Sequence, residues 1–425
     1  MIRGYPMLDE KVHFTKLSNG LTVAVVLRPG FTRKLAYFVT DYGAVHTAFQ
    51  LEGKDYQTPA GVAHFLEHKM FELPERDVTA EFAALGANVN AFTSYDMTAY
   101  YFSCTENFVE NLKLLLEFVS IPWFPADSVQ REMGIIDQEI GMNLDAPDSQ
   151  VFEKLMEQMY TKHPIRVPIL GTSETIRQIT PEILHACHRA FYTPENMILC
   201  VVGDVDPGQV EAMALEVLGA EARPWGKKCR SWQEEMTCGG TVRKVMEVAM
   251  PTFQLGFKCA PGESGEETVR REVIGDLAAE ALFGESSELY LKLYEEGKID
   301  GSFGGGYETV DGCSILLCGG DSREPEAVRE AILEFAGQLR RKGIPEADFL
   351  RMKRSALGRR VRDLDSFDST AFRVCAYHFS DFDYFRFPEV YADVTGEEVL
   401  AFLEASVRED RCALCVIEPK EETHE

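Results

Sequence analysis

TPEILHACHRAFYTPENMILCVV (residues 180–202) lies without gaps on TGEEVLAFLEASVREDRCALCVI (residues 395–417), and this pairing decides how the chain is organised. Seven of the 23 positions are identical, among them Thr180/Thr395, Ala190/Ala405 and the triplets Leu199-Cys200-Val201 and Leu414-Cys415-Val416. Each copy reads as an amphipathic helix, a short polar turn and an apolar strand. The offset of 215 residues is close to half of the 425-residue chain, so two domains of one fold are expected. The expected boundaries are residues 1–221, a linker at 222–240 rich in Gly and charge, and residues 241–425.

Working outward, the first half reads as strands at LTVAVVL (from Leu21) and LAYFVTDYGA (from Leu35), then a helix around His64. DVTAEFAALGA reads as a short helix ending near Gly86, and NAFTSYDMTAYYFSCT as a β-hairpin turning at Ser94-Tyr95-Asp96. ENFVENLKLLLEFV (from Glu106) and DSVQREMGIIDQEIGM (with Asp127 as N-cap) read as amphipathic helices. Helices and strands interleave around a hairpin, so the expected class is α+β with mostly antiparallel sheets.

Lys and Arg number 43 against 69 Asp and Glu, a net charge of −26. Nucleic acid and anionic membrane surfaces would be repelled, so neither is expected as a partner. The acidity suits a solubilising surface and a preference for basic substrates equally well. No apolar run at the N-terminus is long enough for a signal peptide, and none elsewhere reaches the span of a membrane helix. Most of the eleven cysteines stand singly in apolar segments (Cys200, Cys259, Cys318, Cys375), as buried thiols in a reducing compartment would. A cytoplasmic protein is expected. Cys412 and Cys415 form one Cys-x-x-Cys, but within a strand their side chains face opposite sides. The glycines of GSFGGG (from Gly301) and at Gly319 lack the strand–loop–helix context of a phosphate loop and read as close backbone packing.

The chemistry is concentrated in Ala63-His64-Phe65-Leu66-Glu67-His68-Lys69-Met70. On a helix His64 and His68 are one turn apart on one face, so both imidazoles reach one ion. Glu67 is offset, placed to hold a water without ligating. This H-x-x-E-H order inverts the H-E-x-x-H zinc helix, and arises by chance in such a chain with a probability on the order of one in a hundred. Zinc needs one more protein ligand to leave a position for water. Glu132 and Glu139, about two turns apart on a second helix with an apolar face, are the candidates.

HFLEH followed some seventy residues later by E-x6-E closely resembles the pitrilysin/insulinase family of zinc metallopeptidases, which includes mitochondrial processing peptidases. The resemblance extends to Gly86-Ala87, Asn90-Ala91-Phe92-Thr93, Thr98-Ala99-Tyr100, HPIRVPILGTSETI (from His163) and FYTPENMILCVVGDVD (from Phe191). It implies one zinc ion per chain, ligated by His64, His68 and Glu139, with Glu132 supporting the site and Glu67 as catalytic base. It implies that the strand carrying Asn90, Ala91 and Phe92 pairs with the substrate backbone. The implied architecture is two homologous domains forming half of a clamshell, and the implied activity is hydrolysis of peptides. The alternative is a non-catalytic assembly subunit of the same fold.

At an offset of 213, Leu277, Glu280 and Ala281 stand opposite His64, Glu67 and His68, so the second half carries no metal motif. The family's second-domain arginine and tyrosine, seven residues apart, help to bind substrate. Their positions fall here on Tyr294 and Gly301. A complete metal half beside an incomplete substrate half implies a dimer with a zinc-less homologue. Substitution by Tyr290, Tyr294 or Tyr307 is the competing account.

Overall fold

The computed structural model describes residues 2–230, 232–262 and 265–420. Two compact units form, each around its own sheet. The first holds a seven-stranded sheet in the order β1 (Ile2–Tyr5), β2 (Glu10–Lys16), β3 (Thr22–Leu27), β7 (Met197–Gly203), β4 (Lys34–Thr40), β6 (Thr98–Cys104), β5 (Asn88–Thr93). The second holds five strands in the order β8 (Thr241–Met246), β12 (Cys412–Pro419), β9 (Thr252–Cys259), β11 (Cys313–Asp321), β10 (Gly304–Val310).

The duplication is visible strand by strand. β3-β7-β4-β6-β5 matches β8-β12-β9-β11-β10 in order, and in both series the first pair is parallel and the rest antiparallel. Leu199 on β7 lies opposite Phe38, as Leu414 on β12 lies opposite Leu255. β7 is buried at every residue, which is why its sequence is a continuous apolar run rather than an alternation. The helices preceding these strands, α4 (Pro181–Phe191) and α8 (Gly396–Ser406), are capped by Thr180 and Thr395, each accepting a backbone N–H of the first turn.

The two units are not sequential, unlike the expected boundaries. The first comprises residues 1–140, 168–231 and 361–386, and the second residues 141–167, 232–360 and 387–425. Helix α3 (Pro147–Met159) packs on β9 and β12, and its counterpart α7 (Phe367–Phe379) packs on β4 and β7. The halves thus exchange equivalent helices. Each is amphipathic, and two sheets of like topology offer each helix two like beds. Gly256 on β9 fits the exchange: a Cβ there would stand 2.5 Å from the Met159 sulfur of α3. Of the stretch 222–240, expected as a linker, residues 232–240 belong to the second unit. There Glu234 accepts the N–H groups of Thr161, Lys162 and His163, which hold its carboxyl down at about 2 against the opposing pull of burial.

None of the eleven cysteines forms a disulfide, and Cys412 and Cys415 are buried within β12. Gly305 and Gly319 sit in close backbone packing, where a Cβ would meet the Leu317 and Phe253 carbonyl oxygens at 2.5 and 2.4 Å, but a Cβ at Gly301, Gly304 or Gly306 would meet open space, so close packing does not account for those three. Among the described residues no helix is long and apolar enough to cross a membrane.

Candidate metal centre

Helix α1 (Val62–Met70) buries Val62, Ala63, Phe65, Leu66 and Met70 in the first unit's core, which turns His64, Glu67 and His68 toward one site. Helix α2 (Ala126–Leu144) lies antiparallel to it: Lys69 meets Ser128, His68 meets Glu132, and both histidines face Glu139. Ser128, Glu132 and Glu139 recur at helical spacing along one face of α2. Helix α2 starts two residues earlier than an N-cap at Asp127 implies. Asp127 is therefore inside the first turn, paired with Arg131 at 3.1 Å, rather than at the N-cap.

His64 Nε2 lies 3.7 Å from Glu139 Oε1, and His68 Nε2 lies 3.6 Å from Glu139 Oε2. These separations are long for hydrogen bonds. Two ligands at usual zinc distances in a tetrahedron stand about 3.4 Å apart, so the spacing suits an ion between them. One donor atom from each of the three residues lies within 4.8 Å of the other two, and this is the one such group among the described residues. The chemistry of the donors fits as well. Burial, with His68 close by, pushes the His64 imidazole down to about 3, leaving it neutral and free to ligate. His68 is pulled down by burial, but the Glu132 hydrogen bond and the charges of Glu132, Glu67 and Glu139 outweigh this and raise it.

Glu132 is not in the donor group. Its Oε1 lies 3.0 Å from His68 Nδ1, the carboxylate–histidine contact that fixes ring orientation behind a metal ligand. Glu67 is also outside the donor group. Burial raises its carboxyl, opposed by a hydrogen bond from Thr93 Oγ1 to Glu67 Oε2 at 2.6 Å and by His68. A carboxylate raised by burial beside a candidate donor group is suited to accept a proton.

β5 is the edge strand of the first sheet, with no partner on its outer side among the described residues. Asn90 and Phe92 point to one face and Ala91 to the other. The Asn90 side chain takes the Ala91 N–H at 2.8 Å, and the Phe92 ring meets those of Tyr101 and Phe372. Two features have no clear signature in the sequence. One is the Thr93 contact to Glu67. The other is Lys69, fully buried, whose ammonium donates to Glu72 and Ser128 and so ties α1 to α2. Only the adjacency of Lys69 to the motif hints at its role.

In the second unit, helix α5 (Gly265–Phe283) buries Leu277 and Ala281, and Glu280 pairs with Arg359 of helix α6 (Glu346–Arg362) at 2.8 Å. The residue opposite Glu67 is thus engaged in an ion pair. Tyr294 is exposed and stacks on Tyr290, and Gly301 brings no side chain.

Residues 53–173 match the family model described as insulinase (peptidase family M16), and residues 178–356 the one described as peptidase M16 inactive domain. Over 427 aligned residues the chain is 36% identical to YmfH of Bacillus subtilis (strain 168), named an uncharacterized zinc protease, with 98% of each chain covered. This chain belongs to the insulinase (M16) family. A crystal structure of an M16-like peptidase from Alicyclobacillus acidocaldarius superposes with a TM-score of 0.93 at 33% identity, covering 97% of this chain and 99% of that one. A protease from Helicobacter pylori shares the fold at a TM-score of 0.83 and 20% identity, with 96% of this chain and 100% of that chain covered. The M16 model that spans the metal motif lies in the half carrying His64, His68 and Glu139. The model described as inactive covers most of the stretch that lacks the motif.

Proposed function

We propose that this M16 chain is a zinc-dependent endopeptidase or oligopeptidase acting on peptides and unfolded polypeptide segments. The observation that carries the reading is the spacing of His64, His68 and Glu139, with the half-buried Glu67 beside them but outside the donor set. His64, His68 and Glu139 would hold the ion. When bound there, zinc lowers the pKa of a water and polarises a peptide carbonyl. Glu67 takes the proton of the attacking water and returns it to the leaving amine. Glu132 keeps the His68 ring turned so that Nε2 faces the centre. The open side of β5, with Asn90, Ala91 and Phe92, receives an extended peptide backbone by strand addition. Cysteines that form no disulfides suit work in the reducing cytoplasm.

Division of labour with a partner is part of this reading, because Tyr294 and Gly301 offer neither the arginine nor the tyrosine that the family resemblance implies. The purified chain is assayed with zinc on mixed unstructured peptides read by mass spectrometry, alone and with a zinc-less homologue from the same source. Chelator-sensitive cleavage that is weak alone and rises on adding the homologue is the expected result. Full activity alone, unchanged by the homologue, contradicts the partnership. No cleavage in either case contradicts the peptidase reading.

A further inference from the structure

The β5–β6 hairpin carries a side chain whose position has no role in metal ligation. Thr93, the last residue of β5, points toward α1, on the opposite face from Phe92, and its Oγ1 donates to Glu67 Oε2 at 2.6 Å. A threonine hydroxyl has one proton, and the alternative acceptors decide where it goes. Thr98 Oγ1, fully buried, lies 3.5 Å away, too far to compete, and its own proton goes to the Tyr42 carbonyl at 2.8 Å. The Thr93 proton is therefore committed to Glu67.

The backbone bearing Thr93 is itself held. The Ser94 N–H donates to the Met97 carbonyl at 2.8 Å, and the Ser94 hydroxyl to Asp96 Oδ1 at 2.7 Å. From the neighbouring loop, Ala44 and Val45 donate to the Ser94 and Tyr95 carbonyls at 3.1 and 2.9 Å. Gly43 permits this approach, since a Cβ there would lie 2.6 Å from the backbone of residues 95–97. The hydroxyl is thus presented to Glu67 from a hairpin held on both sides of its turn.

We propose that Thr93 is a positioning residue: its hydroxyl fixes the Glu67 carboxylate in the orientation from which it accepts the proton of the attacking water. The proposal rests on the peptidase reading of the site. It also joins two parts of that site, because the strand that would seat the peptide ends in the residue that orients the base. Misplacing a catalytic group by about 1 Å costs up to about 100-fold in rate, so losing the tether has a measurable effect on turnover rather than on binding.

Thr93→Val keeps a β-branched side chain suited to a strand and removes the hydroxyl, and Thr93→Ser keeps the hydroxyl. The zinc-loaded wild type and both variants, with the homologue present if activity requires it, are compared for kcat, KM and zinc content. Crystal structures are determined for all three. For Thr93→Val, kcat falls by about 10- to 100-fold with KM and zinc content unchanged, and the Glu67 carboxylate leaves its wild-type position. Thr93→Ser recovers most of kcat and the wild-type Glu67 position. An unchanged kcat in Thr93→Val overturns the proposal. So does a raised KM at constant kcat, which would make Thr93 a substrate contact, and so does a serine variant no better than valine. If the wild type cleaves nothing, the peptidase reading fails on its own. The crystal structures then decide the tether, and an unmoved Glu67 in Thr93→Val refutes it.

Discussion

Glu67→Gln abolishes peptide hydrolysis and leaves zinc in place. The substitution is nearly isosteric, and the amide oxygen still accepts the Thr93 hydroxyl that Glu67 Oε2 accepts at 2.6 Å. It removes only the basicity. General-base catalysis is worth roughly 10²- to 10⁴-fold, and the loss falls toward the upper end because Glu132, the other carboxylate outside the donor set, is engaged behind His68. Because the donor group comprises His64, His68 and Glu139 without Glu67, metal content is unaffected. Activity and zinc are measured on one preparation. Loss of zinc would make Glu67 a ligand, and full activity would make it a bystander.

Glu139→Ala loses zinc outright, whereas Glu132→Ala weakens it by about 10- to 100-fold, or about 1.4–2.7 kcal/mol. The two carboxylates share a face of α2 but touch different atoms. Glu139 faces the Nε2 atoms of both histidines at 3.7 and 3.6 Å, while Glu132 meets Nδ1 of His68 from behind. Removing Glu139 deletes one of three protein donors; removing Glu132 leaves three donors and frees one ring. Chelator-competition titration separates the outcomes. If metal loss followed Glu132 instead, the two roles would have to be exchanged.

Features set by local periodicity are legible in the amino-acid sequence of this chain. H-x-x-E-H at 64–68 is a helix-face pattern, so its geometry follows from helical periodicity, as does the shared face of Glu132 and Glu139. The hairpin with its turn at residues 94–96 is set by alternation and turn chemistry. The duplication is legible because the buried strands β7 and β12 admit few residue types at their cores. Three things are not legible, each for a physical reason. The exchange of α3 and α7 depends on which of two like sheets a helix meets, and the helix's own periodicity carries no such information. Which glutamate ligates depends on how far along α2 the histidines fall, a tertiary distance. Thr93 and Glu67 come together only when β5 and α1 pack, and a lone threonine in a strand has no signature.

Whether His64, His68 and Glu139 hold one zinc ion decides the rest of the chemistry. The most direct measurement is an X-ray anomalous difference map, collected on either side of the zinc absorption edge, from crystals of protein purified without added metal. The expected result is one zinc peak per chain, coordinated by His64, His68 and the Glu139 carboxylate, with Glu132 behind His68 and Glu67 not ligating. Absence of a zinc peak there, or a peak held by other residues, would contradict it.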